Sequence, residues 1–415
     1  MKCFSLSIMT VAAVCMTACS ARQYLGVDNS ESDAGNQTAD GGSAPLAVAS
    51  APGGSPIAAG DFSTCAIALG DGVRCWGSNS AGQLGNGTKT QSSKPVDVRA
   101  LTNIVGLAAG ANHFCALSTL GTVSCWGDNS WGQVGDGTQE NRFFATPVDL
   151  KKVVRIGGGV MHTCAIVADG SVWCWGSNSS GQLGDGTANN WRGRPWPLDG
   201  LTGRAVSVVA GIDHTCVLQE NGEVRCVGDG KHGQVGRTMP ATKAIAIGLS
   251  TTANELAAAW QATCARLVSG KVECWGSNSM AELGNGHLDP VDPVVSPTEV
   301  NQLFDATALS AGLGHFCAQK QSLLYCWGWN SFGQLGNGDP GNKGQSPTHL
   351  SVTPTLPVDL KDVTTFTSGG RHNCAFVASS TDPRASIKCW GENMEGQLGD
   401  GTKVDQPSPV SVIGW

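Results

Sequence analysis

The stretch VMHTCAIVADGSVWCWGSNSSGQLGDGT, residues 160–187, decides the fold, because versions of it occur seven times and each carries two cysteines. The other copies begin at Phe62, Asn112, Asp213, Gln261, Gly314 and Arg371, with this one aligned from Met161. Within it, His162, Cys164 and Ile166 alternate with Thr163, Ala165 and Val167, the two-residue period of a β-strand. A strand such as VVRIGGG (153–159) precedes it, a turn at Asp169-Gly170 leads into SVWCW, and a Gly/Asn-rich loop leads on to PVDL-like ends. About four short strands per copy make a small antiparallel sheet, which cannot bury both faces alone and has to stack on its neighbours. The glycine after the Trp position recurs at Gly77, Gly127, Gly176, Gly228, Gly276, Gly328 and Gly391, with spacings of 48 to 52 residues and one of 63, the range of blade-type repeats. The expected fold is all-β: a seven-bladed β-propeller of four-stranded antiparallel blades, one disulfide per blade. PVSVIG (409–414) is a candidate for closing the ring beside the strands of the first blade.

The repeats resemble those of the regulator-of-chromosome-condensation family. Its H-x-x-A-L…G-x-V-x-x-W-G-x-N-x-x-G-Q-L-G pattern is matched most fully at 113–135 and 162–184, and the seven copies fill residues 57–415. The resemblance implies a seven-bladed propeller. It leaves function open, because such propellers include nucleotide-exchange factors for a small GTPase, chromatin binders and secreted bacterial enzyme inhibitors.

Fourteen cysteines pair by position: Cys65 with Cys75, Cys115 with Cys125, Cys164 with Cys174, Cys216 with Cys226, Cys264 with Cys274, Cys317 with Cys326 and Cys374 with Cys389. A hairpin with ten-residue spacing puts the two cysteines opposite one another on adjacent strands. The spacing of nine in the sixth copy requires an even-length turn near Gln321-Ser322, and the spacing of fifteen in the seventh accommodates the longer loop SSTDPRAS. Keeping the pair through three turn lengths argues for disulfides. The rival is metal binding, since His-x-Cys recurs at 113/115, 162/164, 214/216, 315/317 and 372/374. Zinc sites show close ligand pairs such as C-x-x-C, whereas each cysteine here stands alone on its strand.

Five equivalent histidines read as structural elements, because a catalytic group is singular. Their absence in the first and fifth copies (Ser63 and Ala262) reads as a dispensable packing role. The pairs Asn86-Gly87, Asp136-Gly137, Asp185-Gly186, Asn285-Gly286, Asn337-Gly338 and Asp400-Gly401 read as turns, without the spacing of an EF-hand loop. The glycines of GQLG are no phosphate loop. Tryptophans 76, 126, 175, 275, 327 and 390 read as blade packing. No catalytic constellation, metal set or cofactor motif is present, so the reading is a non-enzymatic protein without a cofactor.

Specificity should lie where the copies differ. Trp131, Met280, Trp329 and Phe332 fall in strand-connecting loops and are candidates for a partner-binding rim, with side chains folded back on the propeller as the alternative. NNWRGRPW (189–196), read as an insertion, adds Trp191 and Trp196, and 339–357 reads as a second insertion. Copies four and five diverge most. Val227 replaces the Trp, Met280-Ala281-Glu282 replaces x-Gly-Gln, and Arg266 stands where aliphatic residues are usual.

Ahead of the repeats, residues 1–19 read as a signal peptide of the lipoprotein type. Lys2 is the positive region, Phe4 to Val14 an apolar run too short to span a bilayer, and MTACS resembles a bacterial lipobox with Cys19 as the acylated residue. Met16 stands where leucine is usual, and a plain secretory peptide is the alternative. Residues 20–56, rich in Ser, Gly, Ala, Asn and Asp with one aromatic, Tyr24, read as a disordered tether. Its root-mean-square reach is roughly 30–35 Å. The chain has 415 residues, 57 glycines, 14% charged residues and a net charge of −7, with no basic face for nucleic acid and no polybasic patch for lipid. The expectation is an exported monomer, lipid-anchored in a bacterial cell envelope, at the outer membrane, and otherwise periplasmic or extracellular. It would bind a protein partner by its rim loops. The alternatives are a guanine-nucleotide-exchange-like regulator or a secreted-type enzyme inhibitor, both by resemblance alone.

Overall fold

The computed structural model describes residues 54–68, 70, 72–288, 293–342, 349–378 and 386–415. The signal segment, Cys19, residues 20–53 and most of the SSTDPRAS loop lie outside the described residues. Seven four-stranded sheets follow one another along the chain, each built from four consecutive strands. They are β1–β4 (Ile57–Asp97), β5–β8 (Ile104–Pro147), β9–β12 (Val153–Pro197), β13–β16 (Ala205–Ala246), β17–β20 (Ala253–Glu299), β21–β24 (Ala308–Thr355) and β25–β28 (Val363–Ser411). All pairings within a blade are antiparallel between sequence neighbours. The first strands contact the first strands of adjacent blades and so line the axis. The fourth strands are half-buried to exposed and form the outer wall. The all-β propeller expected from the repeats is what the chain adopts.

In the third blade, Cys164 of β10 (His162–Val167) lies directly opposite Cys174 of β11 (Val172–Ser177), and the two form a disulfide. The same register opposes Cys65 to Cys75, Cys115 to Cys125, Cys216 to Cys226, Cys264 to Cys274, Cys317 to Cys326 and Cys374 to Cys389. Each of these six pairs is a disulfide too, so the pairing expected from position is the pairing found. The Cα separations are 4.0–4.1 Å throughout. The nine-residue spacing from Cys317 to Cys326 works because Lys320 pairs with Leu323, leaving the two-residue turn Gln321-Ser322 with Gln321 at φ +57°. The glycine after the Trp has a backbone reason. Gly176 sits at a register shift between the third and fourth strands with φ +108°, and a Cβ there would fall 2.5 Å from the Met161 carbonyl oxygen.

Two readings need correction. Residues 189–196 are no inserted loop: Trp191–Pro197 is β12, the ordinary outer strand of the third blade. Likewise Leu350–Thr355 within the second supposed insertion is β24. Both sequences hide a strand because proline interrupts the alternation, joined by glycine and arginine in β12, and an outer edge strand tolerates this.

The ring closes differently from the sequence expectation. Among the described residues, Gln406–Ser411 (β28) pairs only with β27 (Ser386–Gly391) of its own blade, and no strand is exchanged with the first blade. Closure is made instead by a belt of backbone hydrogen bonds between the turns that join first and second strands. Asp61 N donates to Ala111 O, Ala111 N to Val160 O, Val160 N to Gly211 O, and Ile212 N to Trp260 O. Trp260 N donates to Leu313 O, Leu313 N to Gly370 O, and Gly370 N to Gly60 O at 3.0 Å, which completes the circle. Ile57, Ala66 and Trp76 of the first blade share a core with Phe376, Leu398 and Val412 of the last. Ser55, at the end of the expected tether, is already buried and accepts a hydrogen bond from Leu107 N.

Candidate functional site

The recurring residues build the joints between blades. Trp175 Nε1 donates to the carbonyl of Gln133 in the preceding blade at 2.9 Å, and Trp76, Trp126, Trp275, Trp327 and Trp390 make the same bond to Gln397, Gln83, Gln234, Glu282 and Gln334. Each of these indoles is fully buried. Thr163 Oγ1 donates to the same Gln133 oxygen at 2.9 Å. A hydroxyl has one proton, so Thr163 must accept from His113 Nε2, 2.8 Å away. That assigns His113 the neutral Nε2–H tautomer. His162 with Thr215, His214 with Thr263 and His372 with Thr64 repeat the bond, and His315 meets Asn373 Oδ1. Burial pushes His113, His162, His214 and His372 down to about 3 and His315 to about 4, so none carries charge near neutrality.

The missing histidines are therefore not a sign of a dispensable role. Ser63 precedes a blade whose acceptor position is Phe114, and Ala262 precedes one with Phe316. Donor and acceptor disappear together. Phe114 and Phe316 instead stack on Trp126 and Trp327. A third position follows suit. A Cβ on Gly159 would collide with His162 Cε1, and Ala259 occupies the equivalent place in the fifth blade, one of the two without the histidine; the first keeps Gly60, where a Cβ would fall 2.9 Å from the Ala111 carbonyl oxygen.

The Asx-Gly loops are likewise internal. Asn178 Oδ1 accepts from Leu183 N at 3.0 Å, and its amide donates to Asp185. Asp185 Oδ1 also accepts from Thr187 N at 2.9 Å and pairs through Oδ2 with Arg192. Gln182 Oε1 caps Ser180 N at 2.9 Å. The divergent copies keep this logic with other residues. Glu282 Oε2 caps Met280 N at 2.7 Å, and the buried Glu255 of β17 (Ala253–Ala258) pairs with the unusual Arg266 at 2.8 Å.

What distinguishes one sector is the face carrying the belt. In each blade the first residue after Trp-Gly or Val-Gly donates its N–H to the carbonyl of the last residue of that turn, as Ser177 to Met161 and Glu392 to Arg371 do, so turn and loop share that face. Around most of the ring these positions hold small or polar residues. At blades six, seven and one they hold a cluster. Arg371 lies over the rings of Phe62, Trp329 and Phe332, at 5.8, 5.4 and 4.9 Å from their centroids, and pairs with Glu392 at 3.3 Å. Trp329 and Phe332 meet edge to face at 5.5 Å. The Glu392 side chain is only 2% exposed. Burial pushes its carboxyl up to about 7, Asp405 and Glu395 add to the rise, and Arg371 opposes it. Beside the cluster an open cavity of about 410 Å³ is lined by Phe332, Met394, Lys403, Val404 and Asp405.

Of the rim candidates, Met280, Trp329 and Phe332 gather with Leu313 and Trp260. Trp329 and Phe332 are each 9% exposed, so they support the surface more than they present it. Trp131 is half-buried in the second blade. Trp191 packs toward Gly132, and Trp196, 50% exposed, is covered by Arg192 on the outer wall. Sequence reading passed over Trp260, Arg371, Glu392, Met394 and Val404. The available signal was that Arg371 stands where the other copies have Phe62, Asn112, Met161, Asp213, Gln261 and Gly314.

A family model for the RCC1-like domain matches residues 3–318, and one for the RCC1 repeat matches 322–376. The chain belongs to the RCC1-like family. Among its RCC1-like relatives, the ultraviolet-B receptor UVR8 of Arabidopsis thaliana is 31% identical over 217 residues, 50% of this chain and 46% of UVR8. The probable E3 ubiquitin-protein ligase HERC6 of Homo sapiens is 31% identical over 223 residues, 50% of this chain and 20% of HERC6. The chain thus spans less than half the length of these relatives. Among solved structures, Prp20p of Saccharomyces cerevisiae superposes with a TM-score of 0.71 at 22% identity, covering 82% of this chain and 85% of Prp20p. Human WBSCR16 gives 0.69 at 20% identity, covering 82% and 93%. These likenesses bear on the fold.

Proposed function

We propose that this RCC1-like chain is a non-enzymatic, monomeric interaction propeller. It docks a protein partner on the belt face over blades six, seven and one, and is held in a bacterial cell envelope, at the outer membrane, by a lipid on Cys19. The observation that carries the docking is Arg371, stacked among three aromatic rings beside a cavity whose walls Met394 and Val404 are 62% and 64% exposed. Buried Arg and Trp anchors with apolar surface around them are the chemistry of interface hot spots. A propeller relative offers precedent: the Prp20p structure is described with binding properties to Gsp1p and histones. Seven disulfides support export, since thiols stay reduced in the cytosol. They weigh against a cytosolic GTPase as the partner.

The test is capture of envelope proteins on the full mature chain, compared with Met394→Lys and Val404→Lys variants and with Leu120→Lys on the opposite face as control. A saturable partner lost in the first two and kept in the third is expected; equal capture by all three removes the face assignment. Mass spectrometry of membrane-extracted protein should find acylated Cys19, and an unmodified Cys19 in the mature chain ends the anchoring reading.

A further inference from the structure

The cavity between the sixth and seventh blades has at its edge a carboxylate, Asp405, that its own residues leave without an ion pair. Asp405 and Lys403 are the charged side chains of its lining, and behind it Arg371 faces Glu392, which holds its proton up to about pH 7. Arg371 is engaged with Glu392 and sealed by the rings of Phe62, Trp329 and Phe332. Even so, Glu392 Oε2 and Arg371 Nε are buried without a hydrogen-bond partner among the described residues. Asp405 accepts from Asn393 N at 2.8 Å but has no ion-pair partner among the described residues. The negative charge of Asp405 and Glu395 is felt inside the protein, where both help hold the Glu392 carboxyl up. The cavity walls are apolar, with Phe332 as floor and the exposed Met394 and Val404 beside it.

We propose that this cavity takes a lysine or arginine side chain of a protein partner, its apolar stem against Phe332, Met394 and Val404 and its charged end at Asp405. The inference rests on the docking-face reading and names the chemistry of what docks there. Long basic side chains pair an aliphatic stem with a charged tip, so they match an apolar wall with a carboxylate at its edge. An acidic side chain would bring a further negative charge against Asp405 and Glu395. A purely aliphatic one would take Asp405 out of water with no compensating bond.

The test uses the full mature chain labelled with ¹³C at its methionine methyls, so that Met394 reports on the cavity while Met161, Met239 and Met280 report on the rest. The probes are N-acetyl-lysine methylamide, its norleucine analogue and its glutamate analogue. The expected result is a saturable shift of the Met394 methyl with the lysine probe and weaker or no shift with the others. Asp405→Asn, which keeps an oxygen for Asn393 N, should weaken the lysine probe by about fivefold, the loss of one partly exposed charge contact. Unchanged Met161 and Met280 signals show that the variant is folded. A Met394 shift equal for norleucine and lysine, unaltered lysine binding in Asp405→Asn, or no Met394 shift overturns the inference. If partner capture still fails with Met394→Lys, the docking face stands and only its cationic occupant is lost.

Discussion

His162 Nε2 lies 2.8 Å from Thr215 Oγ1 across the boundary between the third and fourth blades, and Thr215 passes its own proton to the Gln182 carbonyl at 2.8 Å. This donor relay ties the second strand of one blade, and the loop between its third and fourth strands, to the second strand of the next blade. It explains why histidine, threonine and the GQLG glutamine recur together.

Replacing Thr215 by Val removes both the acceptor for His162 and a donor to Gln182, and leaves a buried imidazole N–H unsatisfied. Such a loss costs about 1–3 kcal/mol. If the relay is the reason, removing His162 as well should cost less than the two single changes summed. Denaturant unfolding of Thr215→Val, His162→Ala and the double variant under oxidising conditions gives the coupling directly, and strict additivity would contradict the relay.

The same burial sets a pH dependence. The five belt-side histidines have folded values of about 3 to 4 against an ordinary 6.5, so the stability they contribute is complete above pH 6.5 and is lost as pH falls toward 3. Glu255 and Glu392, raised to about 7 from 4.5, act in the opposite sense between those values. Near pH 5.5 the unfolded chain can bind five extra protons and the folded chain two, so acid wins. The unfolding midpoint should fall steadily from pH 6.5 to pH 5. A flat or rising midpoint there would mean that the imidazoles are not held neutral.

Period and repetition made the fold legible, because a strand pattern and a cysteine pair repeated seven times allow one architecture. The relay was legible too, though only by comparing each copy with the next: Ser63 goes with Phe114 and Ala262 with Phe316. Scored within its own copy, a missing histidine looks like drift. Ring closure was not legible, since the belt uses backbone N–H and C=O groups that every residue possesses. Nor was the Arg371 cluster, which joins Phe62 to residues about 270 and 310 positions away by sequence number and exists only once the ring has closed.

Ala281 occupies the loop position filled by glycine in the other copies, Gly181 among them, and holds φ +63°. An L-residue with a Cβ pays about 1 kcal/mol or more in that left-handed region. Ala281→Gly should therefore raise stability by about 0.5–1 kcal/mol, net of the chain entropy that glycine adds to the unfolded state. A lowered melting temperature would show that the alanine methyl makes a compensating contact.

Arg371→Met tests the electrostatics of the cluster, because methionine keeps a long stem against Phe62, Trp329 and Phe332 while removing the charge beside Glu392. In the native chain Glu392 holds its proton up to about pH 7. Below that value the carboxyl is neutral with or without Arg371, so the variant loses only packing. Above it, the native chain can ionise Glu392 against the guanidinium, whereas the variant must keep a proton that the unfolded chain has released. The penalty therefore grows by about 1.4 kcal/mol per pH unit above 7. Unfolding measured at pH 6 and pH 8 should show the variant less destabilised at the lower value by about that amount. Adding Glu392→Gln should erase the difference, because no titrating group then remains beside residue 371. If the two pH values give the same loss in Arg371→Met, the guanidinium contributes by stacking alone and Glu392 is neutral at pH 8 in the native chain.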